Sequence, residues 1–367
     1  MKSGAFRDFI DHLLGRGRSA VTVPPLDGAF KPNNRLEEAA IGLPAAAPDN
    51  LVQCAGRVLY SSGTRVRQID FGGAGSAHVE QEMGGTILAL AASPSGRLVV
   101  ATDTDGLSIQ EHWDGPRRLM ASGQAPSSPE WRNVTALAFA DDRTLLVCIG
   151  STRHRGNDWP RDLLTGGRSG AVWRLDMASG AATLIADGLA YPNGIALARD
   201  GSLIVSESWE KRLIQLTPEG RMQAQPLEDL PGYPGRLSPS GRGGYWLCIF
   251  APRNQLIEFV LREPVYRRAM MQEVDPELWI APALSSGKSV LEPMQGGALK
   301  QMGILKPWAP TRSYGLIVEL GDCLVPIQSL HSRTGGRRHG VTSALEHDGS
   351  LWVTAKGGDE LLGLALT

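Results

Sequence analysis

No window of this chain approaches the roughly 18 consecutive apolar residues of a membrane-spanning helix. The opening segment, MKSGAFRDFIDHLLGRGR, lacks the long apolar run of a secretory leader, so a cytoplasmic chain is expected. Cysteine is scarce. Cys54, Cys148, Cys248 and Cys323 lie far apart with no CxxC pair, which excludes a Cys-rich zinc module and gives no disulfide framework. Cys148, Cys248 and Cys323 stand within or beside apolar strand-like runs and read as buried, reduced thiols. Neither sign of charge dominates: 37 Lys plus Arg against 38 Asp plus Glu leave a net charge of −1. A nucleic-acid-binding chain would carry a basic excess, so no nucleic-acid partner is expected. Familiar catalytic signatures are missing as well. There is no GxSxG and no HExxH, and SSGKS at 285–289 fails as a phosphate loop because Pro282 stands where its first glycine is needed.

What the chain does have is 367 residues, 44 of them Gly, and a 42% hydrophobic fraction, enough for a large core. Residues 1–48 differ from the rest. Phe6, Phe9, Ile10, Leu13 and Leu14 recur at helical spacing, and a Pro- and Asn-rich arm follows. This predicts a short amphipathic helix and an extended strap. Such a helix suits docking on the chain's own domain, on a membrane surface or on a membrane transporter.

From residue 49 a repeat sets in: a turn, a short apolar strand, then a second strand ending in a charged turn. RDGSLIVSESWEKRLIQLTPEGR (199–221) is its clearest copy. The turn positions Gly56, Gly96, Asp142, Gly201, Gly243 and Gly349 align. Their early spacing matches the roughly 40–50-residue period of propeller blades. The expectation is an all-β, six-bladed propeller over 49–367, its blades stacked around an axis so that no sheet edge stays open. Two insertions interrupt the period, one at STRHRGNDWPRDLLTGGRSG and a partly helical one at about 262–312 read as a lid.

One segment is more specific. DGLAYPNGIALARDGSLIVSES (187–208), together with LPGYPGRLSP (230–239), GGTILALAASPSGRLVVATDTDGL (84–107) and EHDGSLWV (346–353), resembles the strictosidine synthase-like group. That group belongs to the six-bladed propeller superfamily of gluconolactonases, senescence marker protein and paraoxonase-type lactonases. The resemblance covers roughly residues 49–367. It implies a divalent cation, usually calcium, on the propeller axis, held by oxygen donors. Carried over position by position, the ligands are Asp49, Asn133 and Asn193. Where the group has Asp in GYPD, this chain has Gly235, so one carboxylate is missing. The group's plant enzyme, which joins an amine to an aldehyde, carries an essential Glu near the position of Thr342 here, and no Glu stands there.

Each assignment has a plainer reading beside it. Asn193 precedes Gly194 and suits a turn, Asn133 a strand cap and Asp49 a turn acid. Glu207 and Arg212 read as a structural ion pair across a hairpin. His339, in the basic run HSRTGGRRHG, is placed as general base on water if it opens the last inner strand. Arg337 and Arg338 are candidates to hold a substrate carboxylate or phosphate. His154, Tyr191 and Tyr233 are candidates for the wall of the same pocket. Trp131, Trp159 and Trp308 suit either a pocket wall or blade packing. The leading expectation is metal-assisted hydrolysis of a lactone or small ester. The alternatives are a non-catalytic small-molecule binding or sensor propeller and, last, a C–N condensing enzyme.

Overall fold

The computed structural model describes residues 23–71, 80–120, 129–287 and 312–366, with short stretches at 292, 300–301 and 304–305. The expected N-terminal helix, Trp308 and most of 288–311 lie outside these residues.

Six four-stranded antiparallel sheets surround an axis. Their innermost strands are Pro48–Cys54, Ile87–Ala92, Val134–Phe139, Pro192–Leu197, Gly232–Pro239 and Val341–His347, opening blades 1 to 6 in turn. All six aligned turn positions fall between a blade's innermost and second strands. The strands hold because alternate residues face alternate neighbours. In blade 2, Leu98 and Val100 pack toward blade 1, while Val99 and Ala101 pack toward blade 3. Each blade-to-blade seam has its own apolar cluster, from Val58 and Trp352 between blades 6 and 1 to Ile195 and Cys148 between blades 3 and 4. Both faces of each sheet are therefore buried, which is why these strands read as near-continuous apolar runs.

The chain closes on itself. Ile41–Pro44 pairs with Glu360–Ala365 as the outer strand of blade 6, so the boundary expected at 48 falls inside a blade. The preceding strap packs as expected. Leu36 is fully buried in the seam between blades 5 and 6, and Asn33 Nδ2 donates to Ser329 O at 2.8 Å. Three cysteines are buried, but Cys323 is exposed, because it lies in the turn after Gly315–Leu320 and not in that strand. The Glu207–Arg212 pair forms at 2.5 Å. No described helix is long and apolar enough to cross a membrane.

His331 sits in the same closure region, with Nδ1 on the Tyr314 hydroxyl and Nε2 on Ser329 Oγ. Burial, aided by the nearby Arg333 charge, lowers its pKa from 6.5 to about 4. The folded protein thus favours neutral imidazole. Its contribution is complete above pH 6.5 and is lost as pH falls toward 4. Urea unfolding at pH 7 and pH 4.5 should show a loss of up to about 3 kcal/mol from this group, and His331→Gln should flatten that slope.

Candidate functional site

All six innermost strands carry a register irregularity against their second strands, close to where they begin. A bulge turns a side chain that would point into a seam toward the axis instead. The residues at or beside these bulges are Asp49, Leu88, Thr135, Asn193, Gly235, Arg236 and Thr342, and all of them line one axial cavity of about 220 Å³. Both insertions reach its mouth. Gly156, Asn157 and Trp159 come from the blade 3 insertion, and Leu284 from the one in blade 5. Ile87, Val134, Phe250 and Tyr191 add apolar wall to it.

Three expected metal ligands meet here: Asp49, Asn133 and Asn193 all line the cavity. What else lines it changes their meaning. Arg236, the residue after Gly235, crosses the axis. Its Nη1 lies 2.6 Å from Asp49 Oδ1 and donates to Thr342 O at 3.3 Å, while Nη2 donates to Leu88 O at 2.9 Å. One guanidinium thereby ties blade 5 to blades 1, 2 and 6. Lys356 Nζ takes the other carboxylate oxygen, Asp49 Oδ2, at 2.9 Å. The Asn50 amide also donates to Oδ1 at 2.8 Å. Burial alone would raise the Asp49 pKa. The charges of Arg236 and Lys356, with hydrogen bonds from Lys356 and Thr342, overcome that and hold it at about 2.

A divalent cation does not fit this donor set. Hard cations need several oxygens with free lone pairs. Among the described residues Asp49 is the single carboxylate lining the cavity, and both its oxygens already face a cation. An incoming metal would meet a guanidinium and an ammonium at ligand distance. Among the described residues, no group of three or more His, Cys, Asp or Glu is placed to hold a metal.

The remaining expectations divide. Asn133 is 4% exposed. Its Nδ2 donates to Ser151 O and His154 O at 3.0 and 2.8 Å, leaving Oδ1 buried without a partner. Tyr191 lines the cavity at φ +58°, a strained conformation braced by Glu207, which accepts from the Ala190 amide at 2.8 Å. Tyr233 does not reach the cavity. It is fully buried beneath Trp209 and Phe250, with its hydroxyl on Glu258. His154 lines a neighbouring surface cleft and meets the axial site only through its backbone carbonyl.

His339 is not the base the sequence suggested. It is buried outside the axial cavity, with Ser313 Oγ 2.8 Å from Nδ1 and Arg333 O 2.9 Å from Nε2. A carbonyl only accepts, so Nε2 carries the proton and Nδ1 takes the serine hydroxyl. Burial lowers its pKa further. Arg338 is structural: it pairs with Glu360 and donates to the carbonyls of Leu36, Glu37 and Ala39. Arg337 is exposed, and its bonds are made by its backbone, the amide on Glu37 and the carbonyl on the His339 amide. Trp131 belongs to the seam between blades 2 and 3.

Comparison with known proteins agrees with this architecture. The family model for strictosidine synthase matches residues 137–217. Over that stretch the chain is similar to strictosidine synthase. It is 22% identical over 355 residues to the human adipocyte plasma membrane-associated protein, covering 90% of this chain and 78% of that one. A gluconolactonase from Xanthomonas campestris shares the fold with a TM-score of 0.56 at 15% identity, covering 91% of each chain. A calcium-binding regucalcin from Agrobacterium tumefaciens matches with a TM-score of 0.50 at 12% identity, covering 85% of this chain and 82% of that one. At these identities the solved neighbours establish the six-bladed propeller and nothing finer.

Proposed function

We propose that the axial cavity is a metal-independent binding site for a small organic molecule, used for capture or sensing. The observation that carries this reading is the Arg236–Asp49–Lys356 cluster, in which the chain's own cations stand on the axis. Catalysis has less support. Asp49, held at about 2, is a poor base near neutrality, and among the described residues no histidine lines the cavity. Hydrolysis of a lactone or small ester is the second reading. It draws on the likeness to the gluconolactonase and on two cations able to polarise a carbonyl in a metal's place.

A calorimetric and thermal-shift screen of small lactones, esters and their open acids, run with and without a chelator, separates these. The first reading expects saturable binding that EDTA leaves unchanged, with no turnover. Turnover of a lactone that survives EDTA would favour the second. Turnover that EDTA abolishes would overturn both and restore a metal.

A further inference from the structure

The charges and the unpaired acceptor in the cavity specify more than its size does. Arg236 and Lys356 bring two positive charges and Asp49 one negative, so the lining keeps one net positive charge beside apolar wall. Arg236 is held from three directions by Asp49, Thr342 and Leu88. Among the described residues Lys356 is held by Asp49, and its side chain is 32% exposed. An ammonium has three protons, so it can keep Asp49 and still donate to a ligand anion. Across the cavity, Asn133 also lines the wall; its Oδ1 is buried and unpartnered, while both bonds from Nδ2 go to backbone carbonyls. A buried acceptor left alone is costly, and a ligand donor would recover that cost. Trp159 and Phe250 line the same cavity.

Resting on the binding reading above, we infer that the ligand is a small hydroxycarboxylate with an apolar or aromatic body. Its carboxylate sits on Lys356, its hydroxyl donates to Asn133 Oδ1, and its ring lies against Trp159 and Phe250. The cationic cluster on the axis thereby becomes an anion receptor. Such a molecule is what opening a lactone ring produces, so the reaction class that would supply it is lactone or ester hydrolysis carried out elsewhere.

Mandelate, mandelamide and phenylacetate test this by titration calorimetry on the full chain. Mandelate should bind at least about tenfold tighter than the amide, because only the acid offers a charge-assisted bond. It should also bind a few-fold tighter than phenylacetate, which lacks the hydroxyl. Lys356→Met keeps the Asp49–Arg236 pair and should abolish the preference for acid over amide, while Lys356→Arg restores part of it. Asn133→Ala should erase the preference for mandelate over phenylacetate. Equal binding of acid and amide, or an acid preference that survives Lys356→Met, would overturn the inference. If the neutral amide binds and the acids do not, the cavity is still a ligand site and only the anion assignment falls. If none of the three binds at millimolar concentration and the broader screen is also silent, the binding reading falls with it.

Discussion

Asp49→Asn should destabilise the protein by about 3–5 kcal/mol, the cost of leaving buried charge without its counterion. Asp49 is 6% exposed, and its removal leaves the Arg236 guanidinium and the Lys356 ammonium facing each other across the axis. Urea unfolding at pH 7 reads the loss directly. The double variant Asp49→Leu with Arg236→Met should be less damaged than the sum of its single changes, because it removes both members of the pair. A chelator should not reproduce any part of the effect. The same carboxylate sets a pH dependence. Its folded pKa, about 2, lies below the ordinary 3.8. The stabilisation is therefore complete above pH 3.8 and lost as pH falls from there toward 2, an effect of about 2 kcal/mol. An Asp49 that served as a metal ligand would behave differently: its loss would matter only when metal was present.

The second large effect is a gain. Gly235→Asp combined with Arg236→Asn should create a calcium response that the parent lacks. Gly235 has room for a side chain: a Cβ there would sit at ordinary contact distance, 3.4 Å from Cys248 O and 3.7 Å from Asn193 Nδ2. Removing Arg236 frees one oxygen of Asp49, and the new carboxylate adds oxygens beside Asn193. Two carboxylates and two amide oxygens form a donor set suited to calcium. Calcium at about 100 times its dissociation constant stabilises the native state by about 2.7 kcal/mol. Melting of the variant should therefore rise with added calcium, while melting of the parent stays flat. A parent that already responds to calcium would contradict the electrostatic argument. A variant that folds but never responds would show that Lys356 alone suffices to exclude the metal.

The fold was legible because its signal repeats. Each blade restates the same turn and the same strand pair, and Gly56 through Gly349 mark equivalent corners. The closing strand Ile41–Pro44 was not legible. It is four residues long and owes its conformation to pairing with Glu360–Ala365, far away in sequence. The site was legible in part. Asp49, Asn133 and Asn193 do converge, since each opens an innermost strand or stands just before one. Arg236 and Lys356 were missed, although one sign was available: Arg236 is a charged residue inside a strand whose first four residues are buried, directly after the missing Asp at Gly235. A long cation beside a lost carboxylate marks an exchange of charge that no motif spacing reveals. His339 misled for the opposite reason. Its basic neighbours suggest a solvent-facing site, but Arg338 turns to Glu360 and His339 turns inward to Ser313.

The central claim is that Arg236 and Lys356 supply the positive charge on the propeller axis. Calcium counted on purified, desalted protein by elemental analysis, with Asn193→Ala alongside and calcium added before desalting, tests it most directly. The account predicts no stoichiometric calcium in either protein. About one calcium per chain in the parent, lost in Asn193→Ala, would contradict it.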